Sequence, residues 1–186
     1  MQALAREKLL TALLSLGDVV NTYRKDSTRF VAAYFQWLEN TDESVGPLRL
    51  PVSGLIQSQK SQLLAIEDGL MPPHVQTEGN SVRKRQRAAT ATLIDTMTLA
   101  LQDKLQTIDR SFDDAQDKLA QCLAVLMGQQ ADFLVNIKPD NTGVAATWLA
   151  MNQIKELTPV LNYLTAKYPR ADREYCLHEV LLNALS

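Results

Sequence analysis

From Ser81 to Met127 the chain contains neither glycine nor proline, and no other stretch runs so long without a helix breaker. Within it Ile94, Met97, Leu101, Leu105, Ile108, Phe112, Ala115, Leu119, Leu123 and Leu126 recur at steps of three and four residues, a mean of about 3.56. That period lies between a strict heptad and the 3.6 of a straight helix, so it predicts a nearly straight helix in a bundle rather than a strongly supercoiled dimer. At 1.5 Å per residue such a helix measures about 70 Å, whereas a compact globule of this chain length is roughly 40 Å across. The expectation is an elongated molecule, or one whose helix protrudes toward a partner. Either favours assembly over a compact enzyme.

The first 45 residues hold one glycine, Gly17, and no proline. Leu13, Leu16, Val20, Tyr23, Ser27, Phe30, Tyr34 and Trp37 keep a 3-4 spacing, the pattern of a heptad seam. One helix over about 3–40 is predicted, with a hinge allowed at Asp26–Thr28, where the composition resembles a helix start. Gly46 and two prolines make 40–51 a loop. Ser53 is then the expected cap of a shorter helix over roughly 54–68 that Gly69 ends. A second loop runs from Pro72 through Asn80. After Lys138-Pro139-Asp140, Thr142 is the expected cap of a helix reaching toward Leu157. Pro159 kinks or ends it, a short helix passes through Leu161, Leu164 and Tyr168, and Pro169 opens the last. The predicted fold is therefore all-α, an elongated helical bundle with two long helices (about 3–40 and 81–127) and several shorter ones. It reads as a single domain over 1–186, with the helices of 142–186 as a candidate subdomain.

Composition narrows the function classes. Hydrophobic residues are 46 % and charged ones 22 % of the chain, enough apolar material for a core. The net charge of −2 lacks the basic excess that a dedicated nucleic-acid binder carries. Cys122 and Cys176 have no framework spacing and read as reduced, buried thiols. The apolar run near residues 9–17 is short and flanked by Glu7 and Lys8, so it reads as helix rather than a cleaved signal. No run approaches the ~18 apolar residues of a membrane span, and the expectation is a cytoplasmic protein.

The strongest local oddity is Arg83, Lys84, Arg85 and Arg87, four cations in the first turns of the long helix, where the helix dipole disfavours them. No acid lies at i+4 to pair with them. They are a candidate anion or partner site, taking an acidic protein surface or a nucleic-acid backbone. The plainer alternative is a solvated turn, or bridges to acids on a neighbouring helix. No aromatic residue interleaves them, so such a cluster would grip phosphates without reading sequence.

Asp109, Asp113 and Asp117 share a helix face, with Asp114 alongside paired to Lys118. The ladder lacks the turn oxygens of calcium sites and reads as a solvated face. Tyr23, Phe30, Tyr34 and Trp37 form an aromatic stripe, ordinarily core, and the surface a partner would use if the chain leaves that helix uncovered. His178 and Cys176 lie two residues apart on nearly opposite helix faces, a poor metal pair or catalytic dyad. No metal, nucleotide or catalytic motif is present, so no cofactor is expected. The sequence points to a non-catalytic interaction or structural subunit that meets protein partners, copies of itself among them, through helix faces. The alternative is an accessory subunit holding nucleic-acid backbone through the 83–87 cluster.

Overall fold

The computed structural model describes residues 1–25, 28–70, 81–130 and 132–185, and all its regular structure is helical. The loop expected over Pro72–Asn80, with His74, and part of the expected hinge at Asp26–Thr28 lie outside those residues. Seven α-helices follow in order: α1 Gln2–Arg24, α2 Phe30–Val45, α3 Pro51–Glu67, α4 Val82–Gln129, α5 Asn141–Asn152, α6 Thr158–Lys167 and α7 Arg170–Leu185. No helix among the described residues is long and apolar enough to cross a membrane. Contacts divide the chain into two compact units, one made of 1–4 with 107–186 and the other of 5–106.

The all-α expectation holds, and the long helix stands as read. α4 has 48 residues, and all ten stripe positions from Ile94 to Leu126 are buried. The helix expected over 3–40 is corrected. It is two helices, and the side chain that proves the reversal is Trp37, whose indole Nε1 donates to the Ala12 carbonyl at 3.2 Å and the Ser15 hydroxyl at 3.0 Å. In one straight helix those positions would stand about 37 Å apart. The heptad misled because Tyr23 and Phe30 are seven residues apart yet meet across the turn, with ring centroids at 4.9 Å. The face that α1 buries is Ala5, Leu9, Ala12, Leu16 and Val19, so Ala12 and Val19 face inward where the seam reading had Leu13 and Val20.

Unit 5–106 packs around Phe30, Tyr34, Leu38, Ile56, Leu63 and Met97, all essentially sealed from solvent. Proline at the first position of α3 suits a turn whose amide has no helical acceptor, so Pro51 opens that helix. The cap expected at Ser53 is therefore corrected, since its hydroxyl lies inside the first turn, buried and without a hydrogen-bond partner. Gly69, at φ +86°, closes α3. Its amide returns to Ile66 and the Leu70 amide to Ala65, the paired bonds of a Schellman ending that only glycine adopts without strain. A buried polar chain fixes the register of α2, α3 and α4. The Tyr34 hydroxyl donates to Gln59 Oε1, and Gln59 Nε2 donates to the Leu93 carbonyl at 3.0 Å. Burial pushes the Tyr34 phenol well above its ordinary range, so it stays a donor.

Unit 1–4 with 107–186 packs Phe112, Leu119, Met151, Leu164, Leu177 and Leu181. The cap of α5 is corrected from Thr142 to Asp140, whose carboxylate accepts the Gly143 amide at 2.8 Å. Gly143 permits a close approach there. A Cβ would lie 1.8 Å from the Lys138 carbonyl oxygen. α5 stops at Asn152, and a short turn through Leu157 leads into α6, so Pro159 opens a helix rather than ending one. Within α7, Asp172 is fully buried and reaches the start of α1, where its two oxygens accept the Gln2 amide at 2.9 Å and the Ala3 amide at 3.0 Å.

Candidate functional site

Two adjacent helices leave a groove wherever no third element covers them, and α5 and α7 do so within unit 1–4 with 107–186. The cleft between them measures about 500 Å³ and is lined by Val144, Trp148, Leu149, Arg170, Arg173 and Leu177 among others. That volume falls within the range of ligand pockets. The α5 residues recur at i, i+4 and i+5, so one face of the helix forms one wall. Leu177 is fully buried at the floor, whereas Leu149 is 64 % exposed at the rim.

The electrostatics of the cleft turn on its two arginines. Arg170 is bound to Glu174, Nε to Oε1 at 2.7 Å, an i, i+4 pair in which each charge answers the other. Arg173 has no such answer. Its guanidinium lies over the Trp148 ring at 4.8 Å, and Nη1 donates to the Thr165 hydroxyl at 2.8 Å. Its Nε is enclosed with no acceptor, and no carboxylate among the described residues pairs with it. Stacking on an indole fixes a guanidinium in place, so the charge is presented in one orientation.

The four cations read as an anion site are not brought together as one. The Arg87 guanidinium donates to the Tyr23 carbonyl in the last turn of α1 at 2.8 Å and lies over the Tyr23 ring at 4.7 Å. Next to it, Gln86 Nε2 donates to the Ile66 carbonyl in the last turn of α3 at 3.2 Å. The first turns of α4 thus serve the carbonyl-bearing ends of two other helices, whose dipoles favour positive charge. That compensation was invisible in sequence. Arg85 is half-buried with its Nε enclosed, while Arg83 and Lys84 are exposed.

The aromatic stripe belongs to the core. Phe30, Tyr34 and Trp37 are buried within the chain's own fold, in keeping with the core reading of the stripe rather than with its use as partner anchors. Tyr23, 40 % exposed, carries Arg87 on its ring. An open groove between α1 and α2 includes Thr11, Ser15, Thr22 and Ser44 in its lining, but each hydroxyl donates to a carbonyl of its own helix. A shallow groove between α4 and α7, with Ala120, Ala124 and Ala184 in its lining, holds no positive charge.

On α4, Asp113 and Asp117 are exposed, whereas Asp114 gathers the contacts. Lys118 binds its Oδ1, while Tyr163, Lys167 and Tyr168 surround Oδ2 at 3.0–3.1 Å. The Tyr168 hydroxyl also lies 2.8 Å from the Ser111 carbonyl, so its single proton serves one acceptor at a time. The Lys118 hydrogen bond first, then Lys167 and the two phenols, hold the Asp114 carboxyl well below the usual carboxylate range. This is a staple between α4 and α6 in which both carboxylate oxygens already hold partners.

Cys122 and Cys176 are free and buried, as read. Burial pushes both thiols up, Cys176 to about 12 with help from Asp172 and Glu179, so neither is a ready nucleophile. His178 faces Glu179 at 3.5 Å. Among the described residues no three or more His, Cys, Asp or Glu are placed to hold a metal. Trp148 and Arg173 were missed as a pair because twenty-five residues and two turns separate them. No protein-family profile, curated protein or solved structure matches the chain.

Proposed function

We propose that this chain is a non-catalytic helical subunit of a protein assembly, and that the α5–α7 cleft is the face through which it meets another protein. One observation carries the reading. Trp148 and the exposed Leu149 stand at an open apolar cleft beside Arg173, a cation without a carboxylate partner among the described residues. A single exposed leucine needs no explanation, but a tryptophan and an arginine around one open cleft are of the kinds that dominate interface energetics. The polar clusters elsewhere are closed on themselves, which supports binding over catalysis. The two free, buried thiols suit a reducing compartment, and we place the protein in the cytoplasm. The phosphate-binding alternative has less to draw on, because Arg87 is turned to the end of α1 and Arg85 is half-buried.

Affinity capture from extracts of the native host, with the wild-type chain and with Leu149→Glu, tests this reading. The expected result is a protein retained at fixed stoichiometry by the wild type and lost with the variant. The melting temperature stays unchanged, because residue 149 is exposed. Equal retention by both chains, or no retained protein at all, overturns it. Nucleic acid bound at low salt, released steeply as salt rises and lost with Lys84→Gln, transfers the function to the alternative.

A further inference from the structure

Resting on that reading, we infer that the α5–α7 cleft takes about two turns of an acidic amphipathic helix from a protein partner, an aliphatic side chain seated over Leu177 and a carboxylate meeting Arg173. The dimensions come first. The lining residues of α5 run from Val144 to Asn152 and those of α7 from Arg170 to Leu177. At 1.5 Å per residue each wall is about 11–12 Å long, close to two helical turns. A groove between two packed helices accepts a third by the same ridge-into-groove geometry that builds bundles, and helix-in-groove binding reads apolar anchors at i and i+4.

Charge then selects the sign of the ligand. Arg170 and Glu174 satisfy each other, so the pair adds little net field. Arg173 remains, with one nitrogen on the Thr165 hydroxyl and its plane held against Trp148. An acidic side chain beside the apolar anchor completes that guanidinium, whereas a basic one adds like charge next to it. The stack on Trp148 means little side-chain freedom remains to be lost on binding, which favours affinity at this position.

The probe is a pair of helical peptides of about 14 residues, near the minimum for useful helicity in water. Both carry leucines at i and i+4; one is flanked by glutamates and the other by lysines. Trp148 fluorescence reports binding, since Trp37 is buried in the other unit and serves as a constant background. The glutamate peptide is expected to shift the emission and to bind more weakly as salt rises. Arg173→Gln lowers its affinity about tenfold, and Leu149→Glu by at least as much. Arg173→Lys, which keeps the charge but loses the planar fork, falls between.

Equal or tighter binding of the lysine peptide overturns the inference, as does glutamate-peptide binding that Arg173→Gln leaves unchanged. Absence of binding by either peptide does the same. Concentration-dependent self-association abolished by Leu149→Glu assigns the cleft to a second copy of the chain and equally overturns it. Failure here is separable from failure of the broader reading. A partner captured from extract in a Leu149-dependent way, by a chain that ignores the glutamate peptide, leaves the interaction role standing and removes only the acidic-helix chemistry.

Discussion

At the start of α1 the Gln2 and Ala3 amides donate to the carboxylate of Asp172, and at its end the Tyr23 carbonyl accepts from the guanidinium of Arg87. Each residue comes from a distant helix and carries the sign that the macrodipole calls for at that end. The two clamps differ in burial. Asp172 is fully enclosed, and it sits in the first turn of α7, so a second helix N-terminus also favours its charge. Arg87 is only half-buried and shares itself between one carbonyl and two aromatic rings. Where water can replace a partner, losing that partner costs little. Where it cannot, the stranded backbone groups remain.

The comparison predicts unequal costs, and Asp172→Ala is the larger. Two part-buried amide donors lose an acceptor that is itself fully buried, which amounts to about 2–3 kcal/mol. For a chain of this size that lowers the melting temperature by roughly 5–10 °C. Hydrogen exchange at the first turn of α1 should accelerate together with the melt. Asp172→Asn, which still offers one carbonyl oxygen, should recover part of the loss. A melting temperature unchanged by Asp172→Ala would erase the distinction between the two ends.

Arg87→Ala comes next, at about 1 kcal/mol for one hydrogen bond to a partly hydrated carbonyl and the ring contacts. Arg87→Lys separates the components. It keeps a cation near the end of α1 but loses the flat face against Tyr23 and Phe30, so its melting temperature should lie between those of the wild type and Arg87→Ala. A lysine variant as stable as the wild type would mean that charge alone holds the end.

These clamps mark the limit of what was legible in the sequence. Local period and helix breakers fix α4, because a glycine- and proline-free apolar stripe admits little else, and the ending at Gly69 and the opening at Pro169 follow from the same chemistry. The turn after Arg24 was hidden by coincidence, since a seven-residue step from Tyr23 to Phe30 satisfies a continuous heptad and a turn alike. Arg87 looked uncompensated because its acceptor, the carbonyl of Tyr23, is a backbone atom with no signature of its own, as is the Ile66 carbonyl that takes the neighbouring Gln86. The cleft was illegible for a related reason. Its chemistry needs Trp148 and Arg173 together, and only tertiary packing brings them into contact.

Asp114 offers a third carboxylate against which to sharpen the contrast, charged like Asp172 but a third exposed and held by side chains rather than by helix amides. Its folded-state pKa is depressed, chiefly by Lys118 and then Lys167. A depressed acid contributes stability above its unfolded pKa and loses it as pH falls through the folded value. The difference in melting temperature between wild type and Asp114→Asn should therefore be constant at neutral pH and shrink below about pH 4. A gap that instead widens on acidification would contradict the hydrogen-bond arrangement around Oδ1 and Oδ2.

The smallest effect falls on Lys84, and its sign is the informative part. This residue is exposed in the first turn of α4, with no hydrogen bond among the described residues. Unlike Arg87 and Gln86, it answers no carbonyl at the end of a neighbouring helix. The dipole of α4 therefore acts on it unopposed, and Lys84→Gln should stabilise slightly, by about 0.3 kcal/mol at low salt, with the gain fading as salt screens it. Melting curves of Lys84→Gln and Arg87→Ala at two ionic strengths make the test. Opposite signs at low salt would show that neighbours in one basic run do different physical work. Matching losses would mean that the run acts as a single electropositive patch after all, and would return weight to a phosphate-binding role.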